Sequence, residues 1–102
     1  MNPFHDLIET YKSNSAEPTK NDVIDSPAFH VGIVTLAAGQ EILPHPEPYT
    51  VFFYVLEGAG TFTGGDETIE LAEGDGLYLD HGERRGIRCS EPLTILGIQG
   101  AH

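Results

Sequence analysis

From Asp22 onward this chain is cut into short apolar runs by turn signals, and none reaches the length an ordinary helix needs. The breaks fall at Ser26-Pro27, Ala38-Gly39, the prolines between 44 and 48, Gly58-Ala59-Gly60, Gly64-Gly65-Asp66, Glu73-Gly74-Asp75, His81-Gly82 and Glu91-Pro92. Between them the pattern predicts strands over residues 22–25, 29–37, 41–44, 50–57, 60–64, 67–71, 76–80, 85–90 and 93–99. Evenly spaced short strands with no helix among them restrict the fold to an all-β barrel or sandwich.

At 102 residues the chain has room for one domain. The expected organisation is an N-terminal arm or short helix plus linker over 1–21, then a single barrel over 22–102. The helix expectation covers 3–11, where Phe4, Leu7, Ile8 and Tyr11 recur at helical spacing behind a possible Asn2 cap and Pro3. An extended arm fits the same residues. In the strand 50–57, Val51, Phe53 and Val55 share one face, while Phe52, Tyr54 and Leu56 share the other. A strand apolar on both faces is covered on both. One cover is the barrel interior. The other is the N-terminal segment or a second copy of the chain, and a homodimer is expected.

The net charge of −11 repels phosphate backbones and anionic membranes, so neither nucleic acid nor membrane is an expected partner. Three of the five basic residues, Arg84, Arg85 and Arg88, nevertheless lie together. The single cysteine, Cys89, excludes an internal disulfide and an all-cysteine metal cage. The N-terminus carries no basic stretch followed by a long apolar run, so no signal peptide is expected and the compartment is read as cytoplasmic. No phosphate loop, dinucleotide fingerprint or nucleophile elbow is present.

Two glycine frames carry a family resemblance. Gly39 precedes His45-Pro46-Glu47 and a strand closed by Gly58; Gly74 and Gly82 then bracket LeuTyrLeu before Arg85. This resembles the paired motifs of the cupin superfamily over roughly residues 30–99, and is similar to a small single-domain cupin with a degenerate metal site. The resemblance implies a double-stranded β-helix, the cupin or jelly-roll barrel. It also implies a metal site, which transfers poorly. His45 holds the first ligand position, Glu47 stands where the second histidine belongs, Val51 replaces the family's glutamate and Arg85 replaces its last histidine. Asp80 and Cys89 replace the second motif's proline and asparagine.

A catalytic zinc or iron site needs three protein donors beside an open position. His45 and Glu47 supply two, and a guanidinium cannot donate an electron pair. No cofactor is therefore expected, with a divalent transition metal on His45, Glu47 and an inward-folded His81 as the alternative. Strand alternation puts Arg85, Ile87 and Cys89 on one face and Arg84 and Arg88 on the other. An inward Arg85 needs a counter-charge, and Glu47 is its expected partner. The candidate ligand-binding set is His45, Glu47, Arg85, Tyr49 and Cys89, with His45 and Glu47 as the only acid/base pair. Cys89 also fits a small core residue, its thiol made more acidic by nearby arginines. The expected function is binding of a small polar or anionic metabolite in a His/Glu/Arg pocket. The alternatives are a metal-dependent dioxygenase, decarboxylase or sugar isomerase, as the resemblance implies, and a structural or regulatory dimer with an empty barrel. Whether a reaction follows binding is left open.

Overall fold

The computed structural model describes residues 1–100; His102 lies outside the described residues. Nine strands follow the arm: β1 (Thr19–Asp25), β2 (Phe29–Leu36), β3 (Glu41–Pro46), β4 (Val51–Glu57), β5 (Ala59–Gly64), β6 (Glu67–Ala72), β7 (Gly76–Leu79), β8 (Arg84–Arg88) and β9 (Leu93–Gly100). They form two antiparallel sheets, one in the order β1-β2-β9-β4-β7 and one in the order β3-β8-β5-β6. Among the described residues, β1–β2 and β5–β6 are the hairpins between chain neighbours within a sheet. Elsewhere the chain crosses from sheet to sheet at each turn, the all-β double-stranded barrel that the two glycine frames imply.

Two expectations at the N-terminus need correction. The helix is a single turn, α1 (Leu7–Thr10), not residues 3–11. Asp6 stands at its start in the left-handed region (φ 51°), so Asn2 and Pro3 fall outside it. One apolar stripe over nine residues is too short to offset the cost of nucleation. Further on, β1 begins at Thr19, three residues inside the stretch read as linker, because it pairs with β2 from Thr19↔Thr35 onward. Thr35 Oγ1 donates to the Tyr11 carbonyl at 3.3 Å and Gln40 Nε2 to the Ser15 carbonyl at 2.9 Å, so the arm is tied to the barrel.

The inner faces meet in an apolar core that fills one end of the barrel. Leu36, Val55, Phe62, Leu93 and Ile95 are its most buried members, with Leu71, Ile87 and Cys89 around them. Phe53 packs its ring against Phe62 at 6.3 Å between centroids. The core stops where two strand glycines lie side by side, Gly32 of β2 opposite Gly97 of β9. Neither contributes a side chain, and space opens there. A glycine inside a strand marks close approach or missing volume, and here the pair leaves the second end of the barrel unfilled.

One irregularity aims the site. The β3–β8 ladder slips between Ile42 and His45, a bulge that takes up Leu43 and Pro44 before His45 pairs with Arg85. Pro44 is tolerated because a bulged position needs no ladder donor. The bulge presses on β8 at Gly86, where an added Cβ would lie 2.8 Å from Pro44 Cγ and 3.0 Å from the Ile42 carbonyl oxygen.

Candidate functional site

The open end of the barrel is a cavity of about 290 Å³. Its walls divide by chemistry. Val34, Ile42, Phe53 and Ile87, with Gly32, Gly86 and Gly97 between them, make an apolar lining. Lys20, His45, Glu47, Tyr49, Arg85 and Gln99 supply all the polar side chains.

Arg85 is the anomaly. It is 5% exposed, and among the described residues it makes no salt bridge. Its Nε donates to the Glu83 carbonyl at 3.2 Å, and Nη2 donates to the carbonyls of Tyr49 at 3.0 Å and Asp80 at 2.9 Å. Nη1 is buried and has no hydrogen-bond partner among the described residues. The Tyr49 ring lies against the guanidinium, its centroid 5.0 Å from Cζ, and Lys20 Nζ lies 6.0 Å from the same centroid. Cation–π contacts and carbonyl dipoles thus hold a charge that sequence reasoning had paired with a carboxylate.

That expected Arg85–Glu47 pair does not form. Glu47 Oε1 instead meets His45 Nε2 at 2.7 Å. The two are near neighbours along one strand end, so the local contact wins over one reaching across to β8. His45 Nδ1 lies 2.9 Å from the Leu43 carbonyl oxygen. Both ring nitrogens therefore face oxygen acceptors, and both contacts are hydrogen bonds only when both nitrogens carry protons. Tyr49 is held neutral: burial pushes its phenol above the ordinary value, the Glu47 charge adds to the rise, and Arg85 opposes it. It can donate a hydrogen bond throughout the neutral range.

Cys89 requires a second correction, because it does not line this cavity. It sits in the core at the opposite end, four residues along from Arg85, a separation of about 13 Å at strand rise. Its Sγ donates to the Ala37 carbonyl at 3.3 Å. Burial dominates the thiol and raises its pKa, where the nearby arginines had suggested a fall. Arg84 and Arg88 point outward, and Arg85 is engaged at the other end. His81 is exposed in the turn before β8 and takes no part in the lining; His30 meets Asp25 at 3.2 Å, between β1 and β2.

Sequence reasoning did not reach Lys20, Gln99 or the glycine pair. Lys20 lay in a stretch read as linker. The glycine pair had a signal, since Gly32 and Gly97 each interrupt a predicted strand.

Residues 32–98 match the family profile described as the cupin domain, about two thirds of the chain. The chain belongs to the cupin family. Solved structures agree on the fold. The protein TT1209 from Thermus thermophilus superposes with a TM-score of 0.87 at 24% identity, covering 96% of each chain. An RmlC-like cupin from Desulfovibrio desulfuricans gives 0.86 at 26% identity over 98% of this chain and 97% of that one. A Klebsiella pneumoniae protein with a double-stranded β-helix domain gives 0.87 at 21% identity over 98% and 90%. No curated protein matches.

His45 and Glu47 are the His, Asp and Glu side chains that line this cupin's cavity. Among the described residues no three His, Cys, Asp or Glu side chains come together around a common point. The two donors that remain, His45 and Glu47, are engaged with each other, and Arg85 stands directly across the ladder from His45.

Proposed function

We propose that this cupin binds a small polar or anionic molecule at the open end of its barrel, and does so without a resident metal. The observation that carries the reading is Arg85: a residue 5% exposed whose Nη1 has no hydrogen-bond partner among the described residues, beside a cavity of about 290 Å³. Burying a charged donor without a partner is costly, and such groups persist where a ligand completes them. The cavity sits near the lower limit of small-molecule sites, about 300 Å³. Its lining pairs an apolar wall with a few polar groups, the usual division of labour between affinity and orientation. The test is an amide-shift titration of the isotope-labelled protein against a set of small acids, sugars and alcohols, with metal analysis alongside. Expected are shifts confined to Lys20, His45, Tyr49, Arg85 and Gln99, with metal well below one equivalent. Stoichiometric metal held by His45 and Glu47, or shifts that avoid the cavity, would overturn the reading.

A second element of the proposal is a homodimer formed through the outer face of the five-stranded sheet. Phe52 pairs with Tyr78 on one side and Ile98 on the other, and Tyr54 lies two residues along. These four side chains are 38–59% exposed and lie on one face of the sheet, with the Tyr78 hydroxyl donating to the Asp80 carboxylate at its edge. In a chain of net charge −11, copies repel each other everywhere except across such a face. Sedimentation equilibrium is expected to give about twice the 11.1 kDa chain mass. The F52E/Y78E double variant should return to the single-chain mass with an unchanged circular dichroism spectrum. A monomeric parent protein ends the idea.

A further inference from the structure

The cavity's composition narrows its ligand. We infer that the ligand is a monocarboxylate with a compact apolar body, its carboxylate held at Arg85 and drawn in by Lys20. This inference rests on the binding role proposed above and goes beyond it in naming the chemical class.

Charge sets the first limit. Two of the chain's five cationic side chains, Lys20 and Arg85, line one cavity and lie against one ring, Tyr49. Against them stands a single carboxylate, Glu47, already engaged by His45. The cavity is a local positive site in a protein of net charge −11. That setting favours one negative charge. A dianion or phosphate doubles its attraction to the two cations and its repulsion from the rest of the molecule alike, but it loses far more hydration on entering a cavity with an apolar wall.

Geometry sets the second. Nε and Nη2 of Arg85 are committed to three backbone carbonyls, which fix the guanidinium plane and leave the Nη1 edge as the one without a partner. A carboxylate oxygen is the acceptor that suits such an edge. Nη1 is fully buried, so an incoming oxygen reaches its in-plane edge only if neighbouring side chains give way, and the Tyr49 ring, 5.0 Å from Cζ, is the cavity-lining neighbour best placed to do so. Tyr49 stands just before β4, between Pro48 and the strand, where a rim residue can move without disturbing the ladder.

The wall sets the third. Val34, Ile42, Phe53 and Ile87 offer no hydrogen bonds to a body lying against them. A polyol buried there would leave hydroxyls unpaired, whereas an alkyl or aryl group would not. The volume of about 290 Å³ lies near the lower limit of small-molecule sites, about 300 Å³. That fits a short acyl chain or a single aromatic ring beside a carboxylate.

Calorimetric titration with benzoate and hexanoate tests this against benzamide, benzyl alcohol, succinate and sorbitol. At least one monocarboxylate is expected to bind, with its amide or alcohol counterpart and succinate about tenfold weaker or more. R85Q should abolish binding. K20M, an exposed change on β1 that leaves the core intact, should weaken it several-fold and flatten its salt dependence. Benzamide equal to benzoate, or succinate tighter than hexanoate, overturns the monocarboxylate class; so does unchanged affinity in K20M with R85Q for the part played by the cations. Sorbitol or benzyl alcohol binding in the cavity while both acids fail would sink this inference and leave the binding role standing. Silence from every probe here and in the wider shift titration would sink both.

Discussion

Gly58→Ala is expected to destabilise the barrel by about 3 kcal/mol or more, although it adds a single methyl group. Gly58 lies where the chain leaves β4 for β5, crossing from one sheet to the other, with φ at 87°. A Cβ there would collide with the Pro92 carbonyl oxygen and stand 3.2 Å from Leu93 Cα. Both obstacles are backbone, and Leu93 is a fully buried core residue, so nothing flexible can yield. The Gly58 carbonyl also accepts from Glu73 N at 3.0 Å, tying the crossover to the β6–β7 turn. Gly39, Gly74 and Gly82 provide the control. They share positive φ, at 84°, 92° and 80°, but an added Cβ meets nothing within 4 Å. Alanine at those positions should cost about 1–2 kcal/mol, the left-handed penalty alone. Urea midpoints of the four variants at constant m separate the two contributions. If Gly58→Ala falls within about 0.5 kcal/mol of Gly74→Ala, the close approach to Pro92 is not rigid.

Gly58 also shows what this sequence displays and what it conceals. Its place at the end of an apolar run marks a turn, and every interrupted run from residue 29 onward is a strand in the structure. Period-two alternation likewise separates Arg85, Ile87 and Cys89, all buried, from exposed Arg84 and Arg88. Contact across the barrel is another matter. That Pro92 presses on Gly58 depends on how two crossovers stack, for which no local pattern exists. The partners of Arg85 were hidden for a related reason: they are backbone carbonyls, which every residue carries, so a side-chain inventory offered Glu47 instead. Cys89 looked like a site residue because alternation fixes the face of a strand but not the end of the barrel. Only the ladder does that, with Arg85 opposite His45 at the open end and Cys89 beyond Arg88, whose partner Glu41 opens β3. Lys20 was invisible while β1 was read as starting after it. The short N-terminal helix is present but spans one turn, Leu7–Thr10, instead of residues 3–11, since an apolar stripe of nine residues is too short to carry it further.

Arg85→Met separates a ligand-binding arginine from a structural one. The variant is expected to fold, to match or exceed the parent's stability by up to about 2 kcal/mol, and to lose affinity for any carboxylate the parent binds. Three hydrogen bonds from the guanidinium disappear, each worth about 1.5–3 kcal/mol when the donor is charged. Against that stands relief from holding a cation in the barrel with no carboxylate partner and one orphaned nitrogen, a penalty of several kcal/mol. The freed carbonyls decide the balance. Asp80 O already accepts from Glu83 N at 3.1 Å, and a cavity of about 290 Å³ lets water reach the others. Methionine keeps an apolar stem on the cavity wall that Ile87 and Phe53 also line, and adapts to the remaining space. The scale for comparison is Phe62→Ala in the closed core, where no water can substitute and the loss should be about 3–5 kcal/mol. A protein retains a destabilising buried charge where function requires it, so stability gained together with binding lost is the signature of a site. Should Arg85→Met cost more than about 2 kcal/mol instead, the guanidinium is a brace between the Tyr49 rim and the 80–83 turn, and the case for a ligand loses its foundation.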